Sequence, residues 1–128
     1  MGVADFVTTM LDRWSYPVSL PKEVACALGI TLPDRLSFDQ FIDMLISPDC
    51  RPTKLCRFMP REKAENVFRY ACKKECFVHE SVISYCFRNG WLEFVLKFDC
   101  QGRLRRVYIQ HELLHHDEGV ELLLQCCN

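Results

Sequence analysis

From Glu80 to Leu114 apolar and polar residues alternate around two turn signals, the pattern of half-buried strands with a period of two. Asn89-Gly90 between two apolar runs predicts a two-residue hairpin turn, because such turns need positive φ at both central positions. Counting outward sets Arg88 opposite Trp91, Phe87 opposite Leu92, Tyr85 opposite Phe94 and Ile83 opposite Leu96, so the large apolar residues share one face. Asp99-Cys100-Gln101-Gly102 predicts a second turn with Gly102 in the left-handed region, setting Phe98 against Leu104 and Phe94 against Tyr108 on that face. The other face then carries Trp91, Val95, Val107 and Ile109 among Glu93, Lys97 and Arg105. That mixture is too apolar for open water and too charged for a core.

Upstream the period changes to that of helices. Val3, Phe6, Val7, Met10, Leu11 and Trp14 predict an amphipathic helix over residues 3–14, ended by Tyr16-Pro17. Pro21 opens a second helix carrying Val24, Ala25 and Leu28, with Gly29 placed to stop it. Ser37 and Gln40 have capping-box spacing and Leu36 and Phe41 staple spacing, predicting a third helix through Leu45. A loop follows to Met59, and Pro60 opens a fourth helix with the stripe Ala64, Val67, Phe68, Ala71 and Cys72. The expected fold is α+β. About four N-terminal helices precede a three- to four-stranded antiparallel meander, with the last helix packed on the sheet, in a single domain of residues 1–128. Gly119 and the run Val120 to Cys126 read as a further turn and strand, with a helix as the competing reading.

Composition narrows the class. With 49% hydrophobic and 26% charged residues the chain reads as globular, and no apolar run approaches a membrane span. Phe6 stands where a myristoylation signal needs Ser or Thr, the last residues form no prenylation box, and no secretion signal is evident, so a cytoplasmic location is expected. The nine cysteines then read as reduced, buried small hydrophobes. Charge is distributed unevenly: residues 1–50 sum to −4, 51–74 to +6 and 75–128 to −3, giving the net −1. The basic segment offers Arg57, Arg61, Arg69 and Lys73, either as a solvated face or as a surface for an acidic protein or nucleic acid.

Two clusters suggest metal chemistry. His111-Glu112-Leu113-Leu114-His115 resembles the HExxH motif of the zincin metallopeptidases, a resemblance covering five residues. On a helix it implies zinc held by His111 and His115 with Glu112 as general base. On a continuing strand the two histidines stand about 13 Å apart, beyond the reach of one ion. Cys72, Cys76 and His79, with Cys50 and Cys56 as complement, form a weaker set whose spacing is unlike paired zinc knuckles. The leading expectation is thus a small non-enzymatic protein-binding or regulatory domain, adaptor- or chaperone-like. It acts through the sheet face around Trp91, Val95, Val107 and Ile109, with self-association as a homodimer one form and no cofactor. The alternatives are a zinc-dependent hydrolase using His111, Glu112 and His115, and nucleic-acid binding through residues 51–74.

Overall fold

The computed structural model describes residues 19–33, 36–88, 90–111 and 119–126. Helix α1, Pro21–Leu28, starts at a proline whose missing N–H is no loss in the first turn, and it stops at Gly29 with φ 76°. A side chain at Gly29 would run into Thr53, whose hydroxyl donates to the Gly29 carbonyl (2.9 Å), so the loop after α2 closes the C-terminal end of α1. Helix α2, Phe38–Leu45, carries the full capping box: Ser37 Oγ accepts from Gln40 N–H, and the Gln40 side chain accepts from Ser37 N–H. Helix α3 spans Arg61–Val67 and buries Ala64.

The strands are β1 (Cys56–Arg57), β2 (Lys73–Cys76), β3 (Glu80–Phe87), β4 (Gly90–Phe98), β5 (Leu104–Gln110), β6 (Val120–Leu122) and β7 (Gln125–Cys126). Five of them, β2 to β6, form an antiparallel sheet in chain order, while β1 and β7 pair in parallel as a small second sheet. This corrects the expected order of about four N-terminal helices before a three- to four-stranded meander. Three helices occur among the described residues, α3 lies between β1 and β2, and the expected helix over residues 3–14 lies outside the described residues. The fourth expected helix is cut short because Phe68 leaves helical geometry (φ −102°, ψ 28°). From Cys72, whose N–H donates to Ser84 O (3.0 Å), the chain is taken up by the open edge of β3. Ladder bonds to β3 thus override the helical stripe that Ala71 and Cys72 suggest.

Both hairpin registers differ from expectation, with opposite consequences. In the first, Tyr85 pairs with Leu92 and Ile83 with Phe94, a shift of two residues. Gly90 opens β4 opposite Phe87 instead of occupying the turn. An even shift leaves every side chain on its face, so Ile83, Tyr85, Phe87, Leu92, Phe94 and Leu96 are all buried. In the second, Phe98 pairs with Leu104 as expected, but the register then slips, and Lys97 faces Arg106. The bulge makes Arg105 the extra residue and turns β5 over, so that Val107 and Ile109 point into the core and are fully buried, with Tyr108 on the outer face. Burying two branched aliphatics, at about 1.5–3 kcal/mol each, favours the slipped register.

All three helices contribute to the core beneath that face. Phe38 and Phe41 of α2 meet Phe87, with ring centroids 5.1 and 5.8 Å apart. Phe68, following α3, lies 5.0 Å from Phe94. Arg61 joins α3 to the β2–β3 hairpin. Its guanidinium donates to the carbonyls of Val78 (2.9 Å), Phe77 (2.7 Å) and Glu80 (3.1 Å), to Ser81 Oγ (3.1 Å) and to Glu65 (3.2 Å), and lies 4.9 Å from the Phe98 ring centroid. Another device occurs at Cys56–Met59, a turn in which Met59 N–H donates to Cys56 O (3.4 Å) and Phe58 takes φ 71°. A bulky residue there costs about 1–2 kcal/mol. Two bonds to β5 hold it: Phe58 N–H donates to Leu104 O (2.7 Å) and Leu104 N–H to Met59 O (2.9 Å).

On the outer face Glu93 stands between Ser84 and Gln110 on the neighbouring strands. Partial burial, reinforced by the Glu75 carboxylate against some relief from Lys73, raises its pKa above the ordinary glutamate range. A carboxyl whose pKa is raised by folding favours the fold when protonated and opposes it as pH rises through that pKa. Glu93→Gln is therefore expected to add about 0.5 kcal/mol at neutral pH, a small figure because solvent screens the site, and to add nothing in acid below the ordinary glutamate range. Denaturant titrations of the two proteins across pH check it. Equal midpoints at neutral pH would remove the argument.

Candidate functional groove

A groove of about 920 Å³ is bounded by α1, α3 and the turn after α3. Its apolar lining comes from Ala27, Met59, Val67, Ala71 and the ring of Tyr85. Three have a local cause: Ala27 is the half-buried residue between Cys26 and Leu28 of α1, Val67 is the last residue of α3, and Ala71 continues the apolar side of α3 past its end. Four cations share the groove, namely Lys22 from α1, Lys54 from the preceding loop, Lys63 from α3 and Arg69 from the turn, against one carboxylate, Glu23. Lys54 Nζ also caps α1 by donating to Cys26 O (2.9 Å), and the Arg69 guanidinium lies 4.9 Å from the Tyr70 ring centroid.

Polar groups deeper in the groove are few. Burial pushes the Tyr85 phenol far above its usual range, aided by Cys72 and Glu23, so it stays a neutral O–H at neutral pH. Cys72 Sγ lies 3.5 Å from Ser19 Oγ and accepts from Cys86 N–H (3.4 Å). The groove thus combines apolar walls, a buried hydroxyl and a cationic rim.

Of the residues singled out in the sequence, Arg69 and Cys72 line the groove and most of the others fall elsewhere. Trp91 and Val95 lie on the outer sheet face, half-buried and buried, but Val107 and Ile109 lie in the core, so the four do not make one surface. The physical reason is the Arg105 bulge. Nor do Arg57, Arg61, Arg69 and Lys73 form one basic patch. Arg57 belongs to β1, Arg61 is engaged by the hairpin carbonyls, Arg69 has left the helix, and Lys73 sits in β2 bonded to Glu75 (3.1 Å). Lys54, Lys63 and Arg69 of the basic segment do meet in the groove. Lys22, from a part of the chain that sums to −4, was missed because only tertiary packing brings it there.

His111 is buried at the end of β5, its ring 5.2 Å from Phe38 and 6.1 Å from Trp91, while Glu112 and His115 lie outside the described residues. Among the described residues no group of three or more His, Cys, Asp or Glu is placed to hold a metal ion. The Cys72, Cys76 and His79 set is divided: Cys72 faces Ser19, whereas Cys76 Sγ donates to Glu65 (3.6 Å). Seven of the described cysteines stand outside any disulfide, but Cys56 is disulfide-bonded, which corrects the expectation of a wholly reduced set. No helix among the described residues is long and apolar enough to cross a membrane.

Comparison with known protein families, with curated proteins and with solved structures finds no match. Fold and site therefore define the chain by class: an α+β domain with an antiparallel sheet and a cationic groove on its helical side.

Proposed function

We propose that this is a non-enzymatic protein-binding domain whose groove between α1 and α3 receives a partner segment carrying apolar side chains and carboxylates. The observation that supports it is the excess of Lys22, Lys54, Lys63 and Arg69 over Glu23 around an apolar floor. Apolar residues of the partner would displace water from Val67 and Ala71, and its carboxylates would meet the lysines. The groove replaces the sheet face as the docking surface, since Val107 and Ile109 are not accessible.

Selection of random displayed peptides on the wild-type protein tests this. Enriched sequences are expected to combine Leu, Phe or Trp with Asp or Glu. They should lose about tenfold or more in affinity, roughly 1.4 kcal/mol, on the groove-filling Ala27→Trp variant and on Lys22→Glu with Lys63→Glu. Peptides that bind Ala27→Trp as well as wild type, with both proteins folded by circular dichroism, would move the site elsewhere.

A further inference from the structure

Phe58 poses a question that the groove does not answer. It is the one non-glycine residue with positive φ among the described residues, and the residue is 48% exposed. Glycine or asparagine suits that turn position better, and a half-exposed phenyl ring gains little from burial. The fold thus holds an aromatic ring outward in a backbone conformation that disfavours it. The surroundings are cationic. The Arg105 guanidinium lies 4.7 Å from the ring centroid, Arg103 Nη1 reaches the Phe58 carbonyl (3.5 Å), and exposed Arg57 precedes it in the turn. Asp99 offsets part of this charge, 3.7 Å from Arg105, whose side chain is still 52% exposed. The bulge that makes Arg105 the extra residue of β5 is what lets it stand over the ring instead of joining the alternation.

We infer that Phe58 with Arg57, Arg103 and Arg105 forms a contact site for single-stranded nucleic acid, in which a base stacks on the phenyl ring or its guanidinium neighbour while the arginines meet adjacent phosphates. Stacking on an exposed aromatic ring accepts any base, and two or three arginines beside it supply the salt-dependent term. A flat ring beside a guanidinium offers a base a surface to stack on while the arginines meet the flanking phosphates, which favours nucleic acid, and an acidic peptide is the alternative that the poly-glutamate competition below separates. The site is separate from the groove and does not depend on it.

The test is fluorescence anisotropy with labelled oligo-dT and oligo-rU at low salt, on wild type, Phe58→Asn, Arg105→Gln and the groove variant Ala27→Trp. Asparagine tolerates the left-handed conformation, so Phe58→Asn is expected to keep or raise the melting temperature while weakening oligonucleotide binding about tenfold. Arg105→Gln should weaken binding and flatten its salt dependence, and Ala27→Trp should change neither. The inference is overturned if no oligonucleotide binds at low salt, or if binding survives Phe58→Asn unchanged. It is also overturned if poly-glutamate competes as well as oligonucleotide and is equally insensitive to Phe58, which would leave a charge-only surface. A clear loss of melting temperature in Phe58→Asn would make the ring a structural residue and overturn it too.

Discussion

Phe94→Ala is expected to destabilise the protein by about 3–5 kcal/mol, a large part of the roughly 5–15 kcal/mol that holds a domain folded. Phe94 is fully buried at the middle of β4, itself the central strand of five, and its ring meets Phe68 at 5.0 Å and Tyr85 at 6.0 Å. Alanine would leave a cavity where sheet, α3 turn and Tyr85 converge, and strands paired on both sides of β4 limit collapse into it. Denaturant unfolding checks this through a lowered midpoint at unchanged slope. A loss under about 1 kcal/mol would mean that this ring is not at the centre of the core.

Arg61→Met is expected to be nearly as severe, at about 2–4 kcal/mol, because its guanidinium is the shared donor for three hairpin carbonyls, Ser81 and Glu65. Methionine keeps much of the apolar stem over Phe98 but leaves those acceptors without the donor. Glu65 carries a pH signature of the same network. Burial works to raise its carboxyl, yet hydrogen bonds from Ser81 and Arg61 and the nearby Lys74 outweigh that and lower its pKa. A carboxylate lowered by folding stabilises the fold above its ordinary range, and the benefit is lost as pH falls through the depressed value. In Arg61→Met much of that acid-limb dependence should vanish along with the stability. The double variant with Glu65→Gln should then cost less than the two single changes summed, as expected for partners in one network. Strict additivity would show that the pair acts separately.

How far the fold can be read from the chain depends on whether the deciding contacts are local. The α2 capping box is legible because Ser37, Gln40 and the apolar stripe fall within one turn of each other, and α1 is bracketed by Pro21 and Gly29. The core face of β3 and β4 is legible although the pairing is off by two, since an even error cancels in a structure with a period of two. Arg105 has no such protection. The Asp99 to Gly102 turn is the one expected, with Asp99 accepting from Gln101 and Arg103 N–H and Gly102 at φ 74°. Yet one extra residue just beyond it exchanges Tyr108 for Val107 and Ile109, and only the packing beneath the sheet decides between the alternatives. The groove is the least legible feature. Its cations come from α1, a loop, α3 and a turn, and no spacing along the chain connects Lys22 with Arg69. The parallel pairing of β1 with β7 likewise joins segments from distant parts of the chain, without a local signal.

The edge formed by β2 bears on how the molecule behaves in company. Lys73, Lys74, Glu75 and Cys76 are all exposed, and on their far side no further strand pairs with them among the described residues. An open edge offers a template on which identical sheets can stack into fibres, and such growth needs flat, uncharged strands that meet in register. Two adjacent lysines and a glutamate on the outermost strand put charged side chains where a second copy would have to pair, which is how edge strands resist such growth. Crowded copies are thereby kept from zipping into continuous sheet.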